Sequence, residues 1–215
     1  MNAPSAITKL YNELVRVSAT TVVIPRIEDV LRRYREHPNI YYNENLGIKI
    51  FYPPGWIVDP EAGRTGEQYD CLEHVSSFTS ILPDHNTAFR PEIDLVVQDI
   101  GDVNFMAYFY LRLNALKRKQ IEAAYHLDEL FQVVTLMLKK TCSDRLPDFQ
   151  IQKYFIQEGQ IYNIIVRRLD PGQMENAPEL VEEIRQIVRS FAFVAKAGGG
   201  KRPCLADNAE KAVPE

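Results

Sequence analysis

The chain is poor in the residues that staple small folds or build reactive centres. Its 215 residues include three cysteines and one tryptophan. Cys71, Cys142 and Cys204 lie far apart, and none belongs to a C-x-x-C pair. An odd, scattered set argues against a disulfide framework and for a reducing compartment. Long apolar runs are also missing. No stretch approaches the ~20 residues a membrane span needs, and "TTVVIP" is too short for a signal core, so a cytoplasmic protein without a secretory leader is expected. A basic excess is absent, with 25 Lys and Arg against 29 Asp and Glu and a net charge of −4, which argues against general nucleic-acid binding. The local clusters Arg32, Arg33, Arg35 and Lys117, Arg118, Lys119 read as solvated helix faces. No G-x-S-x-G, G-x-G-x-x-G, P-loop or H-E-x-x-H occurs, and no internal repeat is visible.

What is present is enough for one core. A chain of this length buries roughly 70% of the surface its unfolded form exposes. "SAITKLYNELVRVSA" sets Ile7, Leu10, Tyr11, Leu14 and Val17 at helical spacing, with Ser5 as the cap. A second helix is expected from Pro25, with Ile27, Val30, Leu31 and Tyr34 on one face. These helices either pack on the sheet or swing away as an arm. "NLGIKIFYPPGWIVDP" alternates as a strand, turns at Pro53, Pro54 and Gly55, and resumes at Trp56 and Val58. "HVSSFTSIL" is β-prone, and "PEIDLVVQDI" is a clearer strand with Ile93, Leu95 and Val97 on one face.

Residues 103–125 read as a strand or irregular entry leading into a helix. The helical face would carry Met106, Phe109, Tyr110, Leu113 and Leu116. From Leu127, the spacing of Leu130, Phe131, Val134, Met137 and Leu138 predicts a core-facing helix, opened by Asp128 and Glu129 and closed by Lys139 and Lys140. "DFQIQKYFIQEGQIYNIIVRRL" predicts a hairpin turning at Glu158–Gly159. "DPGQMENA" is expected as a loop ending in a helix cap at Asn176. The following helix buries Leu180, Ile184, Ile187 and Val188, and "SFAFVA" closes as a strand. The acidic pair Glu182–Glu183 is expected on the solvated helix surface. Residues 196–215 lack apolar periodicity and read as a disordered tail.

The stretch "YYNENLGIKIFYPPGWIVDP" resembles the opening signature of PsbP-like proteins: an aromatic, a glycine-marked strand, then Y-P-x-x-W. "IYNIIVRRL…VEEIRQIVRSFAFV" is similar to that family's last hairpin strand, long helix and closing strand. The resemblance spans residues 41–195. It implies an α+β fold, an α/β/α sandwich around a central antiparallel sheet, and binding or assembly work without catalysis. The namesake is an extrinsic subunit of the oxygen-evolving photosystem, associated with calcium. Fold relatives include a Ran-binding import factor and bacterial effector chaperones. The expected organisation is an N-terminal helical extension over 1–38, which departs from the family pattern, a PsbP-like α/β/α domain over 39–195 and a disordered tail over 196–215. The thylakoid lumen is the alternative compartment, if a targeting segment was removed.

Candidate chemistry is sparse. Asp70, Cys71, Glu73 and His74 gather in "YDCLEHVS", and "PDHN" adds Asp84, His85 and Asn86. Cys71 and His74 could ligate a transition metal only if others converge from elsewhere. Asp70, Glu73, His74 and Asp84 are the candidates for an irregular site, and calcium is the one cation suited to it. A Cys71 nucleophile with His74 or His85 as base is the hydrolase alternative. The bland reading of these residues is a solvated loop-to-strand junction and a turn. Trp56 is expected to bury over the sheet end with its N–H satisfied. The sequence therefore predicts a non-enzymatic protein-binding or assembly factor. It has no cofactor and a protein partner. A chaperone for a hydrophobic partner segment is the alternative.

Overall fold

The structure is a computed structural model that describes residues 4–16, 39–59, 73–80, 90–129, 132–140 and 148–194. The helix expected from Pro25, Cys71, Cys142, Cys204 and the tail over 196–215 lie outside the described residues.

Helix α1 spans Ser5–Arg16. Strands β1 (Ile40–Asn43), β2 (Ile48–Phe51), β3 (Trp56–Asp59), β4 (Glu73–Ser80) and β5 (Glu92–Asp99) follow. Next come helix α2 (Phe105–Arg118) and strands β6 (Glu122–Asp128), β7 (Val133–Lys140), β8 (Asp148–Gln157) and β9 (Gln160–Leu169). Helices α3 (Pro171–Asn176) and α4 (Pro178–Ser190) and strand β10 (Ala192–Phe193) complete the described chain. Seven strands form one sheet in the order β3-β4-β5-β9-β8-β7-β6, and every neighbouring pair is antiparallel. A smaller antiparallel sheet runs β1-β2-β10. The fold is α+β.

Helices cover the large sheet on both faces. On one, Ile7, Leu10 and Leu14 of α1 and Leu180, Ile184, Ile187 and Val188 of α4 share a core with Ile93, Leu95, Ile151, Phe155 and Val166. On the other, Phe105, Phe109, Leu113 and Leu116 of α2 pack on Val134, Leu136, Leu138 and Tyr154. The first helix therefore packs on the sheet. Ser5 is its first residue, and its hydroxyl donates to Glu175 Oε1 at 3.3 Å. The α4 stripe and the β8–β9 hairpin match the sequence pattern. Glu158 (φ 51°) and Gly159 (φ 74°) supply the two positive-φ residues that a tight hairpin turn requires.

The opening stretch divides between two sheets. β2 pairs with β1 and β10, while β3 pairs with β4 across the turn at Gly55, which sits at φ 90°. Ser190 ties α4 to β2: its hydroxyl accepts from the Phe51 N–H at 2.8 Å.

Three expectations are corrected. Where the helix from Leu127 was expected, the described residues form the end of β6 and, from Val133, strand β7. β7 lies between β6 and β8 with both faces buried. Val133 and Met137 join one core, and Val134, Leu136 and Leu138 the other. A continuous apolar run satisfies helical spacing by default, and the β-branched Val133, Val134 and Thr135 favour the strand. Residues 105–118 form a helix from the outset because the Asn104 side chain accepts the N–H groups of Met106 (2.9 Å) and Ala107 (3.3 Å). "PGQMEN" is helical, with Asp170 Oδ1 accepting the Gln173 N–H at 2.8 Å. Asn176 ends that helix and does not cap α4, whose N-cap Ala177 makes no side-chain bond.

Candidate protein-binding surface

Helix α2 is apolar on more than the face it buries. Met106 is partly buried against the core. Tyr110, which the sequence places with the buried stripe, is 54% exposed. Leu111 beside it is 68% exposed, and Val103, before the cap, is 50% exposed. Val103, Ala107, Tyr110, Leu111 and Asn114 follow helical spacing and are all exposed, so they form one outward ridge.

The ridge continues onto β6. Tyr125 is 49% exposed, and its ring meets the Phe109 ring edge-on at 5.4 Å. Tyr110 meets the same Phe109 ring at 6.4 Å. Three aromatic rings thus run from the outer side of α2 to the last strand of the sheet. Among the described residues β6 pairs only with β7, so every second residue directs its backbone N–H and C=O away from the described sheet. Glu122, Ala123, Tyr125 and His126 are exposed.

Beneath the ridge, polar groups hold α2 in place. Tyr108 donates to Gln98 Oε1 of β5 at 2.8 Å, and burial pushes its hydroxyl up to about 12. Tyr154 is buried and donates to Gln152 Oε1. Burial raises its pKa, while Arg112 and a hydrogen bond with Asn163 act the other way. Further along this face, the carboxylates are engaged by guanidinium groups. Arg167 reaches Asp94 Oδ2 through Nε (2.7 Å) and Glu92 Oε2 through Nη2 (2.9 Å), and Arg168 Nη1 reaches Glu92 Oε1 at 2.6 Å. Ser77 donates to Asp94 Oδ1. These ion pairs brace that sheet face.

The sequence candidates do not assemble in the described part of the chain. Asp70, Cys71, Asp84, His85 and Asn86 lie outside the described residues, and Glu73 and His74 stand in register with Val97 and Val96 at the start of β4. Among the described residues no group of three or more His, Cys, Asp or Glu could hold a metal ion. Trp56 is buried at 5% exposure and its indole N–H donates to Glu183 Oε2 at 2.8 Å. Glu183 is therefore the tryptophan's partner and not a freely solvated acid. Glu182 is held by Arg185 and Gln186, whose hydrogen bonds keep its carboxyl below the usual range.

Sequence reasoning missed the α2–β6 ridge. A signal was present in "FMAYFYLRL", which is apolar around the whole helix and so leaves surplus hydrophobes for the outside. Tyr125 was hidden because β6 was read as helix.

Fold and surface together define an α+β protein with an apolar ridge beside a sheet edge that no strand among the described residues pairs. No protein-family profile and no curated protein matches the chain. Among solved structures it is similar to cyanobacterial PsbP from Synechocystis sp. PCC 6803, with 13% identity, covering 72% of this chain and 91% of that one, at a TM-score of 0.48. It is similar to LpqN of Mycobacterium tuberculosis, involved in cell envelope biogenesis, with 16% identity over 79% and 97% of the two chains and a TM-score of 0.46. It is also similar to the Saccharomyces cerevisiae Ran-binding protein Mog1p, with 11% identity over 71% and 93% and a TM-score of 0.45. The first of these belongs to the family that the opening motif resembles. No helix among the described residues is long and apolar enough to cross a membrane.

Proposed function

We propose that this chain is a non-enzymatic protein-binding or assembly factor that engages its partner through the outer side of α2 and the neighbouring strand β6. One observation carries the reading. Of the five large hydrophobic side chains most exposed among the described residues, four (Val103, Tyr110, Leu111 and Tyr125) lie at this end of the molecule. Two of them share contact with one buried ring. Clustered exposed aromatics beside a rigid scaffold are the usual anchors of a protein interface. The fifth, Ile57, lies on β3 at the opposite edge and serves as the control.

A photo-crosslinking phenylalanine analogue at position 110, 125 or 57 in the native host tests this. Adducts to a discrete partner are expected from 110 and 125 but not from 57. Adducts from 57 alone, or none from any position, would overturn the reading. The family resemblance adds a finer reading, a calcium-linked role at the oxygen-evolving photosystem. Its ligands would be Asp70, Glu73, His74 and Asp84. Calcium titration of the protein and of Asp70→Asn and Asp84→Asn variants checks it, and heat unchanged by either substitution argues against that site.

A further inference from the structure

We infer that the outer face of α2 packs against the same face of a second copy of this chain, the two helices antiparallel about a two-fold axis between Tyr110 and Leu111. This deepens the proposed function and rests on it, because it names the partner of that surface. Ala107, Tyr110, Leu111, Asn114 and Arg118 fall within about 100° of one another around a helix of 3.6 residues per turn, and all are exposed. Val103, just before the helix, extends the stripe. The spacing reads the same in both directions, with steps of four, three, one, three and four residues from Val103 to Arg118. An antiparallel two-fold therefore sets Tyr110 against Leu111, Ala107 against Asn114 and Val103 against Arg118, each contact made twice. The large side chains meet at the axis. The smaller Ala107 and Asn114 beside them leave room for the ridges of one helix to enter the grooves of the other.

Charge selects a second copy over other occupants. From Val103 to Ile121 the chain has no Asp or Glu, and Lys117, Arg118 and Lys119 gather, all exposed, at the end of α2. The other end opens with exposed Asp99 and Asp102. Asp99 Oδ1 accepts the Gly101 N–H at 2.8 Å, which keeps it there. Among the described residues Asp102, Lys117, Arg118 and Lys119 make no ion pair. Glu122, the first acid after the helix, lies 3.7 Å from Lys139 Nζ. In the antiparallel pair the acidic end of each copy lies beside the basic end of the other, with Asp102 level with Lys119. Parallel pairing would set bases against bases. A uniformly acidic segment would meet Asp99 and Asp102, and a uniformly basic one the three cations; such like-charge contacts suppress wrong partners. A second copy carries both signs at the matching spacing. α2 is about 21 Å long and covers less than the roughly 800 Å² per partner of a standard interface. The dimer is therefore weak and concentration-dependent.

Sedimentation equilibrium of the full chain over a concentration series tests this, and a monomer–dimer equilibrium is expected. Leu111→Glu should raise the dissociation constant at least about tenfold. Ile57→Glu, at the opposite edge, should leave it unchanged. Asp102→Lys and Lys119→Glu should each weaken the dimer. An equimolar mixture of these two variants should recover it, because the new lysine of one copy then faces the new glutamate of the other. A residue that only stabilised its own chain would give no such recovery. Thermal melts confirm that each variant folds; if Leu111→Glu does not, the two charge variants and their mixture decide. A monomer at every concentration, a dimer indifferent to Leu111→Glu and to both charge reversals, or a mixture no stronger than its components would each overturn the two-fold pairing. Crosslinks from position 110 to a different protein, with a purified chain that stays monomeric, would leave the binding surface standing and remove only the second copy. A monomer with no adduct from 110 or 125 would remove both.

Discussion

Lys153 occupies a position on β8 that its neighbours Ile151 and Phe155 mark as core, and it is fully buried. Its ammonium donates to the Leu14 carbonyl in the last turn of α1 at 2.6 Å and to Thr135 Oγ1 at 3.3 Å, and lies 5.7 Å from the Phe155 ring centre. Orphan carbonyls at a helix C-terminus favour a cation, yet burial still lowers its pKa from 10.5 to about 8, with Asp128 opposing that shift. Below pH 8 folded and unfolded chains both hold the proton. Between about 8 and 10.5 the folded chain releases it first, so stability rises with pH across that window. The rise is about 3 kcal/mol in full, from about 1.4 kcal/mol per pH unit of difference. Tyr11 and Tyr108 act oppositely, since burial pushes both up to about 12. Unfolded tyrosine ionises near pH 10 and stability then falls. Urea midpoints should peak near pH 10. The Lys153→Met variant should keep the fall and lose the rise; an identical profile in the variant would refute the assignment. Trp56→Ala should cost about 3–5 kcal/mol, the range for a buried large aromatic. Trp56→Phe should cost less, because a benzene ring still fills part of the site, although the rest of the indole and the bond to Glu183 are lost. An unchanged melting temperature in Trp56→Ala with lost partner binding would make Trp56 a recognition residue.

Helix α2 depends on its beginning. Asn104 is extended (φ −63°, ψ 129°) and satisfies two of the first turn's N–H groups, and Lys117 and Arg118 complement the dipole in the last turn. Asn104→Ala should lower stability by about 1 kcal/mol, whereas Asn104→Asp should restore most of it. Thermal denaturation of the three proteins measures this, and equal melting temperatures would show that packing alone holds the helix start. β7 is the opposite case. No cap or turn residue identifies it. It is a strand because β6 and β8 flank it and two apolar layers enclose it, information that a window of neighbouring residues does not contain.

At the scale of the molecule, α1 behaves as part of the core. Ile7, Leu10 and Leu14 are fully buried. Tyr11 donates to the Thr135 carbonyl at 3.5 Å, and Arg185 of α4 approaches Glu13 at 3.8 Å. Removing residues 1–16 would uncover part of the core that α1 shares with β7 and β8 and leave Lys153 without the Leu14 carbonyl. At about 1.5–3 kcal/mol for each buried aliphatic side chain, the loss is on the order of 5 kcal/mol or more. A truncated chain should melt early and bind a hydrophobic dye. An unchanged transition would show that the remaining residues fold as an independent unit and that α1 only leans on them.

Local chemistry determined what the sequence by itself could show. Pro53, Pro54 and Gly55 force a turn wherever they stand. Glu158–Gly159 forms a hairpin because two consecutive positive φ angles suit few residue pairs. The spaced Leu180, Ile184, Ile187 and Val188 mark one buried face because the rest of that helix is polar. Together these made the α+β antiparallel class legible. Tertiary structure decided what depends on neighbours distant in the chain. It sent β2 and β3 to different sheets, made a strand of an apolar run that fits two periods, turned Glu183 from a surface acid into the tryptophan's partner and gave a core position to a lysine. It also left β6 at the edge of the sheet that the described residues form. Whether a strand is central or terminal is set by which other strands lie beside it, and no residue of β6 encodes that alone.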